Sequence, residues 1–434
     1  MTYLDDRIWI SELPEHIGET VVLAGWAYNR RSSGKIQFIL LRDGSGRVQC
    51  VMSADDVGDE KFAEMDGVTM ESSIWVRGAV REDKRAPSGV EVTVEDFGVI
   101  ALAEEYPIQK KDHGVDFLLD HRHLWLRSAR QEAVMRVRST AENAVHDFFR
   151  ERGYLRVDAP IFTPAACEGT TTLFETDYFG EPAYLSQSGQ LYNEAAAAAL
   201  GRVYCFGPAF RAEKSKTRRH VTEFWQVEPE ATFMDLDGCI ELAEGLICRI
   251  VADVLDRRRP ELDTLERDVS KLEGVKPPFP RITYADALEI LAEKGITVDD
   301  KEGFGAEDET VLGESFDKPV IVHRYPHWCK AFYMKRDPDD EELTLSTDVI
   351  APEGYGEIVG GSQREDDYET LLKRIDEHNL PRKSLEWYLD LRRYGAAPSS
   401  GFGMGLDRTV AWITGVRHIR ETIPFPRLLN RMYP

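Results

Sequence analysis

The chain has 434 residues, too many for one ordinary hydrophobic core, so more than one domain is expected. Its hydrophobic share of 42% and aromatic share of 10% exclude a disordered chain, and 77 acidic against 54 basic residues leave a net charge of −23, which works against bulk attraction to DNA. No run of 18 apolar residues occurs, the N-terminus lacks a signal-peptide pattern, and the six cysteines form no CxxC pair; no membrane association and a cytoplasmic location are expected.

The first hundred residues read as β. VVLAGWAYNRR (21–31) and KIQFILLRDGSGRVQCVM (35–52) alternate in polarity, and DGSG at 43–46 is a hairpin signal. SIWVRGAVRED and VEVTVEDFGVIAL add further strands. About five short strands in about a hundred residues predict a small closed barrel of the OB type. Residues 1–103 are therefore expected to form one domain, and the polar run that follows, across 104–130, to form a linker. From 131 to 434 the pattern changes. Val134, Val137, Ala141, Val145 and Phe148 make a helical stripe, followed by GYLRVDAP, a strand closed by Pro160. AYLSQSG, GRVYCFGPAF, HVTEFWQVEPEAT, KPVIVHRYP, KAFYMKR and LSTDVIAPEGYGEIVGG read as strands. Helices are expected at about 235–256 and 284–294, and the glycine-rich SSGFGMG reads as a strand before a helix from Leu406. This order predicts an α+β domain on a mostly antiparallel sheet flanked by helices.

Positive charge is concentrated rather than spread. RAEKSKTRRH (211–220) holds Arg211, Lys214, Lys216, Arg218 and Arg219 against one acid, Glu213. A solvated hairpin tip is the bland reading of such a run. Residues 28–47 repeat the bias with five basic residues and one acid. No GxxxxGK[ST] occurs, and GFGMG lies outside any βαβ context, so neither a P-loop nor a Rossmann site is expected.

Three segments resemble, in order, the three motifs of the class II aminoacyl-tRNA synthetases. The helix running into a strand and Pro160 resembles motif 1. FRAE, a loop and RHVTEF (219–224) resemble motif 2, and GFGMGLDR (401–408) resembles motif 3. A barrel ahead of the catalytic domain resembles subclass IIb. QSGQLYNE (187–194) and YGEIVGGSQRE (355–365) resemble its aspartyl/asparaginyl branch, and the resemblance covers the whole chain.

The resemblance implies ATP-dependent activation of an amino acid, then transfer to tRNA. The protein's task in such chemistry is to position reactants and neutralise charge. Arg211 would hold the α-phosphate and the amino-acid carboxylate with a planar cationic fork. Glu213 would accept from the adenine amino group and Phe224 would underlie the ring. Arg219 and His220 would meet the outer phosphates, with Arg408 on the other face of adenine. Asp348 and Glu357 match the acidic pair that holds Mg2+. Glu168 would meet the substrate ammonium, Ser188 and Gln190 would line the same pocket, and Arg364 would read the side-chain oxygen. In the barrel, Phe38 would stack on an anticodon base, Gln49 would bond a base edge, and Arg30 and Arg31 would meet phosphates. Motif 1 implies a homodimer.

Two positions bear on the amino acid. Asn193 stands where aspartyl enzymes usually carry lysine, and Glu228 where they carry a shorter aspartate. Glu228 would accept from a carboxamide and repel a carboxylate, at a cost of about 1–3 kcal/mol for a buried mismatch. Asparagine and tRNA(Asn) are the expected substrates. A non-discriminating aspartyl enzyme, an ammonia-dependent asparagine synthetase-like paralogue and a catalytically dead tRNA-binding paralogue are the alternatives. Glu194, a further carboxylate, reads as a helix-start acid near the dipole.

Overall fold

The protein is described from a computed structural model, over residues 5–86, 88–164, 173–215, 217–298 and 303–434. The chain divides into two compact units, Met1–Gly114 and Val115–Pro434.

The first unit is a closed barrel of β1 (Thr20–Ser33), β2 (Ile36–Arg42), β3 (Arg47–Ser53), β4 (Ser73–Glu82) and β5 (Val90–Ala101), in the order β1-β2-β3-β5-β4. The alternation seen in the sequence decides which side chains go in. Leu23, Ile39, Leu41, Val48, Cys50, Val76 and Val92 are buried inside, while Phe38, Leu40 and Gln49 between them face outward. The β2–β3 turn is held by Asp43, whose Oδ1 accepts from the backbone of Ser45 (2.8 Å) and Gly46 (3.1 Å). Gly44 takes the positive φ (+89°) that the turn requires.

The second unit is built on an eight-stranded sheet. In chain order its main elements are α1 (Ala129–Glu151), β6 (Leu155–Arg156), α2 (Gln190–Leu200), β7 (Arg202–Phe210), β8 (Glu223–Thr232), α3 (Leu236–Arg257), β9 (Arg281–Thr283), α4 (Tyr284–Glu293) and α5 (Ala306–Glu314). There follow β10 (Val320–His323), β11 (Ser346–Ala351), β12 (Gly356–Gln363), α6 (Tyr368–Glu377), α7 (Arg382–Arg393), β13 (Ser399–Gly405) and α8 (Leu406–Thr414). Across the sheet the order is β9-β10-β11-β12-β13-β8-β7-β6. The β9–β10 and β6–β7 pairs are parallel and the other five antiparallel. This is the expected α+β, mostly antiparallel architecture.

The two faces of the sheet have different chemistry. Ser128 caps α1, and its stripe Val134, Val137, Ala141, Val145 and Phe148 packs with Ile240, Ile247 and Ile250 of α3 into one core. Val227 and Ala231 of β8, with Phe402 and Met404 of β13, join that core. The alternate residues therefore face the other side: Phe224, Gln226, Glu228 and Glu230 on β8, and Gly401, Gly403 and Gly405 on β13. Register sets Gln226 opposite Gly405 and Glu230 opposite Gly401, so polar side chains on one strand lie beside bare backbone on the next.

Several expectations need adjustment. The segment read as linker to 130 includes two short helices, Val115–Asp120 and Arg122–Trp125. Arg122 is fully buried and donates to the carbonyls of Ile423 (2.7 Å) and Pro424 (2.9 Å), so this part belongs to the second unit. KAFYMKR is not one strand. Phe332 and Tyr333 pack in a turn against Leu371, Ile375, Leu385 and Tyr388 of α6 and α7, and strand structure starts only at Arg336.

Candidate active site

A cleft of about 800 Å³ opens on the polar face of the sheet. Arg211, Glu213, Arg219, His220, Phe224, Glu357 and Arg408, drawn from four separated segments, all line it.

Arg211 is the first residue beyond β7. Its backbone N–H bonds Thr222 O at 3.0 Å, extending the β7–β8 ladder by one step, and its guanidinium lies 5.2 Å from the centre of the Phe224 ring. Arg408 projects from the first turn of α8 and donates to the backbone carbonyl of Glu357. The start of α8 is held by Asp407, which is buried, paired with Arg138 of α1 and an acceptor for Trp225 N–H at 2.9 Å. One carboxylate thus joins α1, β8 and α8 and sets where Arg408 stands. Burial, and then the Arg408 charge, hold His220 below the ordinary histidine range. The imidazole is thereby kept neutral beside the Arg408, Arg211 and Arg219 guanidiniums.

Arg219 is wired more tightly than its motif suggests. It donates to Ala306 O (3.0 Å), to Gly354 O and to Thr310, and it pairs with Glu309 of α5 at 3.5 Å. Glu309 in turn accepts from the backbone N–H of Glu357 at 3.1 Å. Burial and the neighbouring Glu357 push the Glu309 carboxyl up to about 7. Sequence reading missed Glu309, because nothing in the acid-rich AEDETVLGE marks one carboxylate as inward-facing. Lys216 lies outside the described residues. Arg218 donates to Gly354 O at 3.3 Å.

Beside Glu357 the cleft continues into a second hollow of about 510 Å³, lined by Glu309, Tyr325, Lys330, Asp348 and Glu357. Asp348 and Glu357 converge over Gly360. A Cβ on that glycine would lie 2.8 Å from Glu357 Oε1 and 3.5 Å from Asp348 Oδ1. The other oxygen of Asp348 accepts from Lys330 at 2.6 Å. Among the described residues no group of three or more His, Cys, Asp and Glu is gathered for a metal. Two carboxylates over a bare backbone fit a hard cation that completes its shell with phosphate oxygens and water, the usual habit of Mg2+.

The floor beyond Arg211 is a buried polar network. Glu228 accepts from Ser188 Oγ and from Gly189 N–H at 2.8 Å. Arg364, 2% exposed, bonds Glu230 through Nε and Nη2 (2.8 Å at the shortest) and Ser362 Oγ at 2.8 Å. Gln190 donates to Glu194 at 3.1 Å. Asn193 donates to Glu228 O (2.8 Å) and to Cys205 Sγ (3.1 Å), so its amide braces β8. Glu194 corrects the sequence reading. It is buried and lies beyond the first turn of α2, so it is not a helix-start acid near the dipole. It bonds Arg392 (2.7 Å) and Tyr388 OH (2.7 Å) and stands 3.9 Å from Arg364. Glu168 lies outside the described residues.

On the barrel, Arg31, Phe38 and Gln49 come together on the outer face. The Arg31 guanidinium lies 4.6 Å over the Phe38 ring and donates to Gln49 at 3.4 Å. Phe38 is not a core aromatic. Arg30 is held separately by Asp66 at 2.8 Å. Sequence reading passed over Arg47, which lies 4.8 Å over the Tyr28 ring.

Comparison with known proteins gives this geometry a family. The family model "tRNA synthetases class II (D, K and N)" matches residues 114–429, and "OB-fold nucleic acid binding domain" matches 21–100. An asparagine--tRNA ligase of Sorangium cellulosum is 60% identical, covering 98% of each chain, and one of Desulforamulus reducens is 56% identical, over 98% of this chain and 99% of the other. The crystal structure of asparaginyl-tRNA synthetase from Pyrococcus horikoshii complexed with asparaginyl-adenylate superposes with a TM-score of 0.95 at 46% identity, over 99% of this chain and 100% of that one. Among the described residues no helix is long and apolar enough to cross a membrane. The chain belongs to the class II aminoacyl-tRNA synthetases, in the asparagine–tRNA ligase family.

Proposed function

We infer that the chain activates L-asparagine with ATP to asparaginyl-adenylate and transfers the asparaginyl group to the 3′ end of tRNA(Asn). The observation that carries this is one cleft lined together by Arg211, which lies over the Phe224 ring, and by Glu213, Arg219, His220, Glu357 and Arg408.

The asparagine carboxylate attacks the α-phosphorus in line, and pyrophosphate leaves. Arg211 draws the two anions together and neutralises charge that grows in the transition state. Phe224 and Arg408 clamp adenine, Glu213 accepts from its amino group, and Arg219 with His220 borders the outer phosphates. When Mg2+ is bound, Asp348 and Glu357 would hold it, and it would supply charge neutralisation at the phosphates. Glu168, Ser188 and Gln190 serve the amino-acid backbone. Arg364 donates to the side-chain oxygen and Glu228 accepts from the carboxamide nitrogen.

Residues 1–103 are assigned as the anticodon-binding domain, with Arg30, Arg31, Phe38 and Gln49 on tRNA, followed by a short hinge region through 114 and the catalytic domain from 115 to 434. A homodimer through motif 1 is supported by exposed apolar side chains around that segment: Leu155 is 52% exposed, Phe162 50% and Phe179 93%. The cytoplasm is the assigned location. ATP–pyrophosphate exchange tests the reading: exchange with asparagine well above aspartate is expected. Exchange with aspartate alone would leave the non-discriminating aspartyl reading standing instead, and tRNA-free asparagine formation from ammonia the synthetase-like one.

A further inference from the structure

The buried network beneath the amino-acid site contains more acid than the recognition of asparagine requires. Arg364 is gripped by Glu230 through Nε and Nη2, and that pair alone would fix its orientation. Glu194 is a second carboxylate against the same guanidinium, 3.9 Å away. It comes from the middle of α2 and is held from below by Arg392 and Tyr388 of α7, both buried with it. Gln190, one turn earlier on α2, donates to the same carboxylate oxygen as Tyr388. Burying an acid in this way is costly unless it is paired, and Arg392 supplies that pairing.

The charge sum of the floor follows from its members. Arg364 and Arg392 contribute two positive charges. Glu194, Glu228 and Glu230, with all three ionised, contribute three negative ones, so the fully ionised cluster has a net charge of −1. Replacing Glu194 by a neutral group would bring that sum to zero. At this depth, charges interact through a low effective dielectric and with little screening by salt.

We propose that Glu194, held by Arg392 and Tyr388, is a specificity-determining residue that tempers the positive charge of Arg364, so that the site takes a neutral carboxamide and turns away the carboxylate of aspartate. This rests on the reading that Arg364 faces the substrate side chain. Glu194 touches no substrate and acts through Arg364. Burial, with the Glu194 charge also among the causes, pushes the Glu230 carboxyl up to about 7, a second sign that the acids of this floor feel one another. The lysine missing at position 193 acts in the same direction: the floor gains no cation there and keeps an extra anion one residue further on.

The test is the ratio of kcat/KM for aspartate to that for asparagine in ATP–pyrophosphate exchange, measured on the same full-length sample so that any unfolded fraction cancels. Glu194→Gln keeps the shape and the Gln190 side of the network and removes one negative charge; the ratio is expected to rise at least tenfold. Glu194→Gln combined with Arg392→Gln removes the pair together and restores the charge sum; the ratio is expected to return to within about threefold of the unsubstituted chain. A purely structural role would lower both substrates in proportion and leave the ratio unmoved in both variants, which would overturn the proposal. A ratio that stays raised in the double variant would overturn it as well, because charge balance would then not be the cause. An unsubstituted chain that prefers aspartate would overturn the functional reading itself, which separates that failure from this one.

Discussion

Gly401 and Gly403 occupy equivalent places in the repeating GFGMG, yet the structure predicts opposite outcomes for adding one methyl group to each. A Cβ on Gly401 would overlap the Pro229 carbonyl oxygen and the Glu230 carboxylate, and would lie 2.9 Å from Arg364 Nη2. Backbone cannot yield as a side-chain tip can, so Gly401→Ala forces the β8–β13 pair apart and pushes Glu230 off Arg364. Overpacking costs about 1–3 kcal/mol, and loosening a buried ion pair costs up to about 3–5 kcal/mol more. A loss of about 3–5 kcal/mol is expected, or roughly 4–8 °C in the unfolding temperature of the catalytic unit. A Cβ on Gly403 meets nothing closer than Gln226 Nε2 at 3.7 Å and Glu228 Cγ at 3.9 Å, both ordinary contacts. Gly403→Ala therefore keeps the fold and gains about 0.5 kcal/mol from the stiffer unfolded chain. Its methyl faces the nucleotide cleft, so KM for ATP is expected to rise while KM for asparagine changes little. Gly401→Ala is expected to raise KM for asparagine instead. Thermal unfolding and pyrophosphate exchange on the two variants are the assays. Equal unfolding temperatures, or an unchanged asparagine KM in Gly401→Ala, would refute the claim that Gly401 is bare to seat the Glu230–Arg364 pair.

Arg211→Lys keeps the charge but loses the planar fork over Phe224. Exchange is expected to fall about 100-fold with no change in unfolding temperature, and near-normal exchange would contradict the role given to that guanidinium. Phe38→Ala is expected to weaken tRNA binding by about 1–3 kcal/mol, read as a higher KM for tRNA, while exchange without tRNA is unaltered. His418 is pushed down to about 4 by burial and by the Arg420 and Arg218 charges. Because the folded state favours the neutral ring, the unfolded chain takes up the proton first as pH falls below about 6.5. Stability is therefore lost between about pH 6.5 and 4, by about 1–2 kcal/mol once partial solvation is allowed for. Denaturation midpoints across that range should show the loss, and His418→Asn, which can still cap Arg420 N–H, should flatten it.

The barrel was legible because its strands are half-buried. One face of each is apolar, so Ile39, Leu41, Val48 and Cys50 announce the inside and the hairpin turn carries its own signature in Asp43 and Gly44. The long helix α1 and the motif 2 and 3 segments were legible for the same reason, a period that matches one buried face. KAFYMKR misled because its apolar residues alternate like a strand but pack against helices α6 and α7, a partner the local pattern cannot reveal. The site shows the same limit more sharply. Arg211, Glu213, Phe224 and Arg408 could be nominated from their motifs. The role of Glu194 could not, since its partners Tyr388 and Arg392 stand 194 and 198 residues away. Glu309 was hidden likewise, being one acid of several in its helix and distinguished only by facing Arg219 and Glu357.

The most direct test of the whole account offers the chain ATP, Mg2+, deacylated tRNA(Asn), and asparagine and aspartate at equal concentration, and identifies by mass the amino acid esterified to the RNA. Asparaginyl-tRNA alone is the predicted product. Aspartyl-tRNA as the main product, or no ester at all, would contradict it.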